Sequence, residues 1–141
     1  WQKMDDNSII IEKLRSSGLR PTKQRLEICK LLFDRKKTFH FTISDLSKIL
    51  KKETNEKISL ATIYNTVHSF NKRGYLKEIS VNAKKSYFDT NISNHYHFLD
   101  VVTNQLIDLK QDDVHDIKIK KNLPGKKIKS VELLVKIENS N

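Results

Sequence analysis

Apolar residues recur at helical spacing through the first half of the chain and in short strand-like runs after Gly74, so helices are predicted first and strands second. Asp5 to Ser8 offer N-caps, Ile9, Ile10 and Leu14 follow at helical spacing, and Gly18 stands where a left-handed residue closes a first helix. Pro21-Thr22 opens a second, with Leu26, Cys29 and Phe33 at i, i+3 and i+7 and Ile28 and Leu32 widening the stripe. On that stripe Cys29 reads as a packing residue. Thr42 and Asp45 resemble a capping box ahead of Ile43, Leu46 and Leu50, which gives a third helix. Lys51 to Lys57 is a polar loop, and Ser59 caps a fourth helix that runs to about Lys72 and ends at Gly74.

Two strands follow, Tyr75 to Val81 and Lys84 to Asp89, about a turn at Asn82-Ala83. Helices followed by a two-stranded hairpin is the winged-helix order. Beyond lie apolar runs at Phe98 to Val102 and Leu106 to Leu109, a short predicted helix from Asp112 to about Lys120, a Pro124-Gly125 turn and a strand from Ile128 to Ile137. The predicted class is therefore α+β, a winged-helix domain over 1–88 followed by a small α/β domain over 89–141. A unit of about 50 residues buries too little apolar surface to be comfortable alone, so the second domain is expected to pair with another copy as a homodimer.

Charge separates the two halves. The chain carries 27 Lys and Arg against 17 Asp and Glu, and the excess is +9 up to Asp89 but only +1 from Thr90 onward. A field confined to one domain favours a polyanion, so the first domain is expected to bind double-stranded DNA. In the fourth helix Leu60, Ile63, Val67 and Phe70 share one sector and are expected to be buried, while Thr62, Asn65, His68 and Lys72 face outward with Tyr64 at the margin. Small, hydrogen-bonding and singly cationic side chains suit entry into a major groove, where Asn65 can read adenine and Tyr64 can lie against a thymine methyl. Lys84 and Lys85 at the wing tip and Arg20 beside the second helix are expected backbone contacts, which supply affinity rather than sequence information.

The single cysteine excludes a disulfide and a CxxC zinc knuckle, and no apolar run reaches membrane-spanning length, so neither a membrane partner nor a secretory signal is expected. A nucleic-acid partner implies the cytoplasm. The chain opens on Trp1 rather than Met, which leaves a preceding segment open.

His95 and His97 form the one local histidine pair, and an H-x-H on a strand puts both imidazoles on one face. Asp89 precedes the pair and Asp108 follows it in the next predicted strand. Mixed nitrogen and oxygen donors suit Fe²⁺, Mn²⁺ or Zn²⁺.

At this point the chain resembles the Fur family of ferric-uptake-type regulators. The matching residues are Gly18 to Arg25, Ser59 to Thr66, Tyr87-Phe88-Asp89, His95-Tyr96-His97 and Leu106-Ile107-Asp108, in family order over most of the chain. The resemblance implies a dimeric transcriptional regulator on an inverted-repeat operator. It also implies one regulatory metal site built from His40, Asp89, His95, His97 and Asp108, with His40 from the DNA-binding half and His95, His97 and Asp108 from the dimerisation half. A metal joining the halves would fix the angle between them and act as a switch.

Departures from the family pattern narrow the expectation. Zinc-bearing members carry their first CxxC shortly after H-x-H, and here that stretch, Phe98 to Thr103, has no cysteine, so no structural zinc is expected. Absence of CxxC together with Ser59 to Thr66 is similar to the iron-response-regulator branch, Irr, which implies control of iron and haem genes, haem as an alternative ligand and a haem-synthesis enzyme as an alternative partner. The Cys-Pro and triple-histidine features of that branch are missing from the sequence. A peroxide sensor of the same family would use the same five residues. A metalloenzyme is disfavoured, because five protein ligands leave little room for a substrate and no spare Glu or Ser-His pairing is evident near them.

Overall fold

The computed structural model describes residues 6–141, and the N-cap candidate Asp5 lies outside them. Two compact units divide the chain, 1–92 and 93–141. The first contains α1 (Asp6–Ser16), α2 (Lys23–Phe33), β1 (His40–Phe41), α3 (Ile43–Glu53), α4 (Leu60–Arg73), β2 (Lys77–Asn82) and β3 (Lys85–Asp89). The expected junction at 88/89 falls inside β3, and Asp89 is a paired residue of that strand.

Capping chemistry sets the helix boundaries. Thr22 Oγ1 accepts the Arg25 N–H at 3.2 Å, and Thr42 and Asp45 exchange backbone N–H bonds at 3.1 Å each way. Ser59 Oγ accepts from the Thr62 N–H at 3.1 Å, and Gly74, at φ 96°, ends α4 with its N–H on the Phe70 carbonyl. Apolar stripes from the four helices meet in one core where Leu14, Ile28, Cys29, Leu46, Ile63, Val67 and Phe70 are fully buried. Each larger apolar side chain contributes roughly 1.5–3 kcal/mol of burial. Phe33 meets Phe70 edge-on at 5.3 Å between centroids, and Phe41 stacks on Phe88 at 5.8 Å.

Strands β1, β3 and β2 form an antiparallel sheet in the order β1-β3-β2. Two-residue β1 is too short to announce itself by alternation, and the sequence reading does not contain it. It is held because Phe41 lies opposite Phe88 and Thr90 brackets Phe39, donating its N–H to the Phe39 carbonyl and accepting the Phe39 N–H on Oγ1.

The second unit contains β4 (Tyr96–Asp100), β5 (Gln105–Leu109), a 3₁₀ turn at Gln111–Asp113 and β6 (Leu134–Ile137), in the sheet order β5-β4-β6 with β6 parallel to β4. The predicted helix over 112–120 is absent. Asp113 accepts the Lys110 N–H and caps a single turn, after which Val114 is extended. From Ile117 to Lys120 apolar and Lys residues alternate at a period of two, with β-branched isoleucines that disfavour helix. The strand predicted from Ile128 pairs only from Leu134, since β4 offers partners from His97 to Asp100 alone. Val101 and Val102 belong to an exposed turn rather than to β4.

Leu60 is also corrected. It is 59% exposed, because at the first position of α4 it precedes the turn that packs on α2 and α3. Thr66 takes its place on the buried side, with its hydroxyl donating to the Thr62 carbonyl at 2.7 Å.

Candidate functional site

In the first unit His40 and Asp89 face each other across the β1–β3 register. The stacked Phe41–Phe88 pair one position along supports that register, and a one-residue slip of β1 would turn His40 to the face opposite Asp89. Asp89 is fully buried; its Oδ1 accepts the Asn91 N–H at 2.8 Å and its Oδ2 lies 3.2 Å from His40 Nε2. A buried carboxylate needs partners for both oxygens, and here one takes the Asn91 N–H while the other faces the His40 imidazole.

In the second unit the β4–β5 register places His97 directly opposite Asp108. His95 stands just before β4, and its ring centroid is 4.4 Å from that of His97. Asp108 Oδ1 lies 3.3 Å from His95 Nε2 and 3.6 Å from His97 Nε2. The Ser93 carbonyl sits 2.7 Å from His95 Nδ1. With Nδ1–H donating there, the His95 Nε2 lone pair points at the shared carboxylate, which is the outer support that orients metal-binding imidazoles.

Each unit thus presents a histidine-carboxylate set with Nε2 forward. Two imidazoles and one carboxylate of the second unit offer atoms within 4.8 Å of one another, as do His40 and Asp89 in the first. Nitrogen and oxygen donors without thiolate fit a divalent ion of the first transition row.

On α4, Tyr64, Asn65, His68 and Lys72 are exposed, whereas Thr62 is half-buried with its hydroxyl accepting from Ser59 Oγ at 3.0 Å. Tyr64 and His68 form an offset stack, with centroids 5.9 Å apart and planes 7° from parallel. Lys84 is exposed at the wing tip, where its N–H binds Asn82 Oδ1 at 2.8 Å. Half-buried Lys85 lies 5.2 Å over the Tyr87 ring. Arg20 is exposed, and its carbonyl accepts from Arg25 Nη1 at 2.8 Å.

The profile of the ferric uptake regulator family matches residues 16–136. The chain belongs to the ferric uptake regulator family. A peroxide-responsive repressor, PerR, of Staphylococcus aureus is 32% identical over 107 residues, spanning 76% of this chain and 70% of the relative. Among solved structures, the ferric uptake regulator of Pseudomonas aeruginosa with manganese is similar over 98% of this chain and 100% of its own, with a TM-score of 0.67 at 21% identity. The regulator of Vibrio cholerae is similar over 92% and 98%, with a TM-score of 0.67 at 20% identity. The α+β fold agrees with that family, whose members are metal-responsive transcriptional regulators rather than enzymes, and the chain is a regulator of this kind.

Several supporting residues of this regulator were not read from the sequence. Thr90, Asn91 and Ser93 shape the loop between the two histidine-carboxylate sets, and Gln24 Nε2 donates to the Lys57 carbonyl at 2.9 Å, tying α2 to the approach to α4. The run of short polar residues between Asp89 and His95 was the available signal, since such side chains bond nearby backbone. No helix among the described residues is long and apolar enough to cross a membrane.

Proposed function

We propose that this protein is a cytoplasmic homodimeric repressor whose affinity for an inverted-repeat operator is set by one divalent ion held by His40, Asp89, His95, His97 and Asp108. The observation that carries the reading is the pair of histidine-carboxylate sets, one in each unit, with every imidazole Nε2 turned toward a carboxylate. When bound, the ion would supply positive charge that both sets share, so that its free energy of binding becomes a coupling between the units. Asp89, buried and already accepting the Asn91 N–H, holds its second oxygen ready, and Ser93 holds the His95 tautomer. In the DNA-binding domain over 1–88, Tyr64, Asn65, His68 and Lys72 would face the major groove beside Thr62, while Arg20, Lys84 and Lys85 hold the phosphates. The dimerisation and metal-sensing domain over 89–141 exposes Ile107, Ile117, Ile119, Leu123 and Ile128, a surface suited to a second copy.

Three imidazoles and two carboxylates suit Fe²⁺, Mn²⁺ or Zn²⁺. Haem sensing and the Irr assignment rest on the sequence likeness alone, whereas the two histidine-carboxylate sets are donors for a bare cation. A second reading is peroxide sensing, favoured by the 32% identity to a peroxide-responsive repressor.

The deciding experiment compares binding to an inverted-repeat operator by metal-free, Fe²⁺-, Mn²⁺-, Zn²⁺- and haem-loaded protein across a salt series. Tightening by Fe²⁺ or Mn²⁺ of at least about tenfold, a coupling of roughly 1.4 kcal/mol, is expected. Indifference to every ligand overturns the switch. In the same assay, peroxide that releases the Fe²⁺-loaded but not the Mn²⁺-loaded protein, with one oxygen atom added to a peptide carrying His40, His95 or His97, establishes the second reading.

A further inference from the structure

The outward face of α4 carries a feature that direct base contact does not require. Tyr64 and His68, one helical turn apart, form an offset stack with centroids 5.9 Å apart and planes only 7° from parallel. Both rings are exposed, Tyr64 at 59%. An exposed tyrosine on a helix ordinarily exchanges rotamers, and any one orientation must be ordered when it meets a partner. Side chains on a helix lean toward its N-terminus, so the His68 imidazole reaches back over the preceding turn and lies along the Tyr64 ring. That contact removes χ freedom from Tyr64 before DNA arrives. It also makes one flat aromatic slab of two rings on a face otherwise built from Ala61, Asn65 and Lys72.

We propose that His68 is a positioning residue for Tyr64: its imidazole, stacked at i+4, pre-sets the phenol ring in the orientation that reads base edges in the operator. This rests on the reading of α4 as the groove-entering helix. Aromatic stacks are worth about three- to tenfold in an equilibrium constant, which sets the size of the expected effect. Because the contribution acts through Tyr64, it belongs to sequence-specific binding and not to the phosphate term.

The test uses the full-length, Mn²⁺-loaded dimer, its operator selected from a random duplex pool, and a random duplex of equal length. His68→Ala is expected to weaken operator binding by about three- to tenfold while leaving random-duplex affinity and the salt slope unchanged. His68→Phe, which keeps a flat ring at the position, is expected to restore operator binding. In a Tyr64→Ala background, His68→Ala is expected to have no further effect. Without DNA, NMR of the Tyr64 ring protons is expected to show loss of the His68 ring-current shift and averaged side-chain couplings in His68→Ala, and their return in His68→Phe. Equal weakening on both duplexes with a shallower salt slope makes His68 a phosphate contact and overturns the proposal. An undiminished effect in the Tyr64→Ala background makes it an independent base reader and also overturns it. If Tyr64→Ala alone leaves operator specificity intact, the base-reading role of the tyrosine falls as well, an outcome separable from failure of the stack alone.

Discussion

Cys29 illustrates how a single side chain is governed by its surroundings. It is fully buried in the helical core with its Sγ 3.8 Å from the Ile10 carbonyl, and burial pushes its thiol up to about 12, with the Lys13 ammonium opposing only in part. The folded protein therefore keeps the proton that the unfolded chain releases near the ordinary thiol value of 9.0. Above that value the unfolded state binds fewer protons than the native one, so stability is expected to fall as pH rises from about 9 towards 12, and not to change on this account below 9. Urea titrations at pH 7, 9 and 10.5 on the wild type and Cys29→Ala check the sign, the variant lacking the excess slope. Thiol labelling at pH 8 is expected to be much slower in native than in denatured protein. The stripe position of Cys29 was legible, because Leu26, Cys29 and Phe33 share a period. Leu60 shares that kind of period with Ile63 and Val67 and is nevertheless exposed, because periodicity marks a face but not where the neighbouring helices stop.

At the scale of elements, the caps were legible, whereas β1 and the bounds of β6 were not. Thr42-Asp45, Ser59 and Gly74 act through bonds within four residues of chain, which a sequence displays directly. β1 exists through a partner distant in sequence, His40 with Asp89, and no local signal contains it, whereas β6 lies inside the strand predicted from Ile128 and only its start, Leu134 opposite His97, is set by a distant partner. The same division runs through the candidate site: H-x-H was visible as spacing, whereas His40 entered only by family resemblance. The β4–β5 hairpin sets the His97–Asp108 register, and its turn is fastened by Asp100 Oδ1, which accepts the N–H groups of Val102 at 2.9 Å and Thr103 at 3.2 Å. Asp100→Ala is expected to cost about 0.5–1.5 kcal/mol and to weaken metal binding several-fold, because a loosened turn lets Asp108 drift from His95 and His97. Asp100→Asn, which keeps one acceptor oxygen, is expected to recover most of both losses. Chemical denaturation and competitive metal titration measure them; a metal affinity untouched by Asp100→Ala would separate the turn from the site.

For the whole molecule, the two units differ in how much apolar surface they hide. The first encloses a core of fully buried helix residues, whereas the second buries Leu99, Leu106 and Leu109 and leaves Ile107, Ile117, Ile119, Leu123, Ile128 and Val131 between 37% and 59% exposed. A unit so short of core needs a partner surface, and the closed symmetric solution for one chain is a second copy. Ile119→Asp and Ile128→Asp, alone and combined, are therefore expected to convert the dimer to monomer in sedimentation velocity at micromolar concentration. They are also expected to lower the concentration-dependent melting temperature and to weaken operator binding by far more than random-duplex binding, since only a dimer spans two half-sites. Ile9→Asp in the first unit, where the side chain is 41% exposed, serves as the control and is expected to leave all three properties unchanged. If the second-unit variants remain dimeric, these isoleucines do not meet the partner copy and the dimer must be held by other surfaces. If they become monomeric yet keep operator affinity, dimerisation is not what spaces the two reading helices.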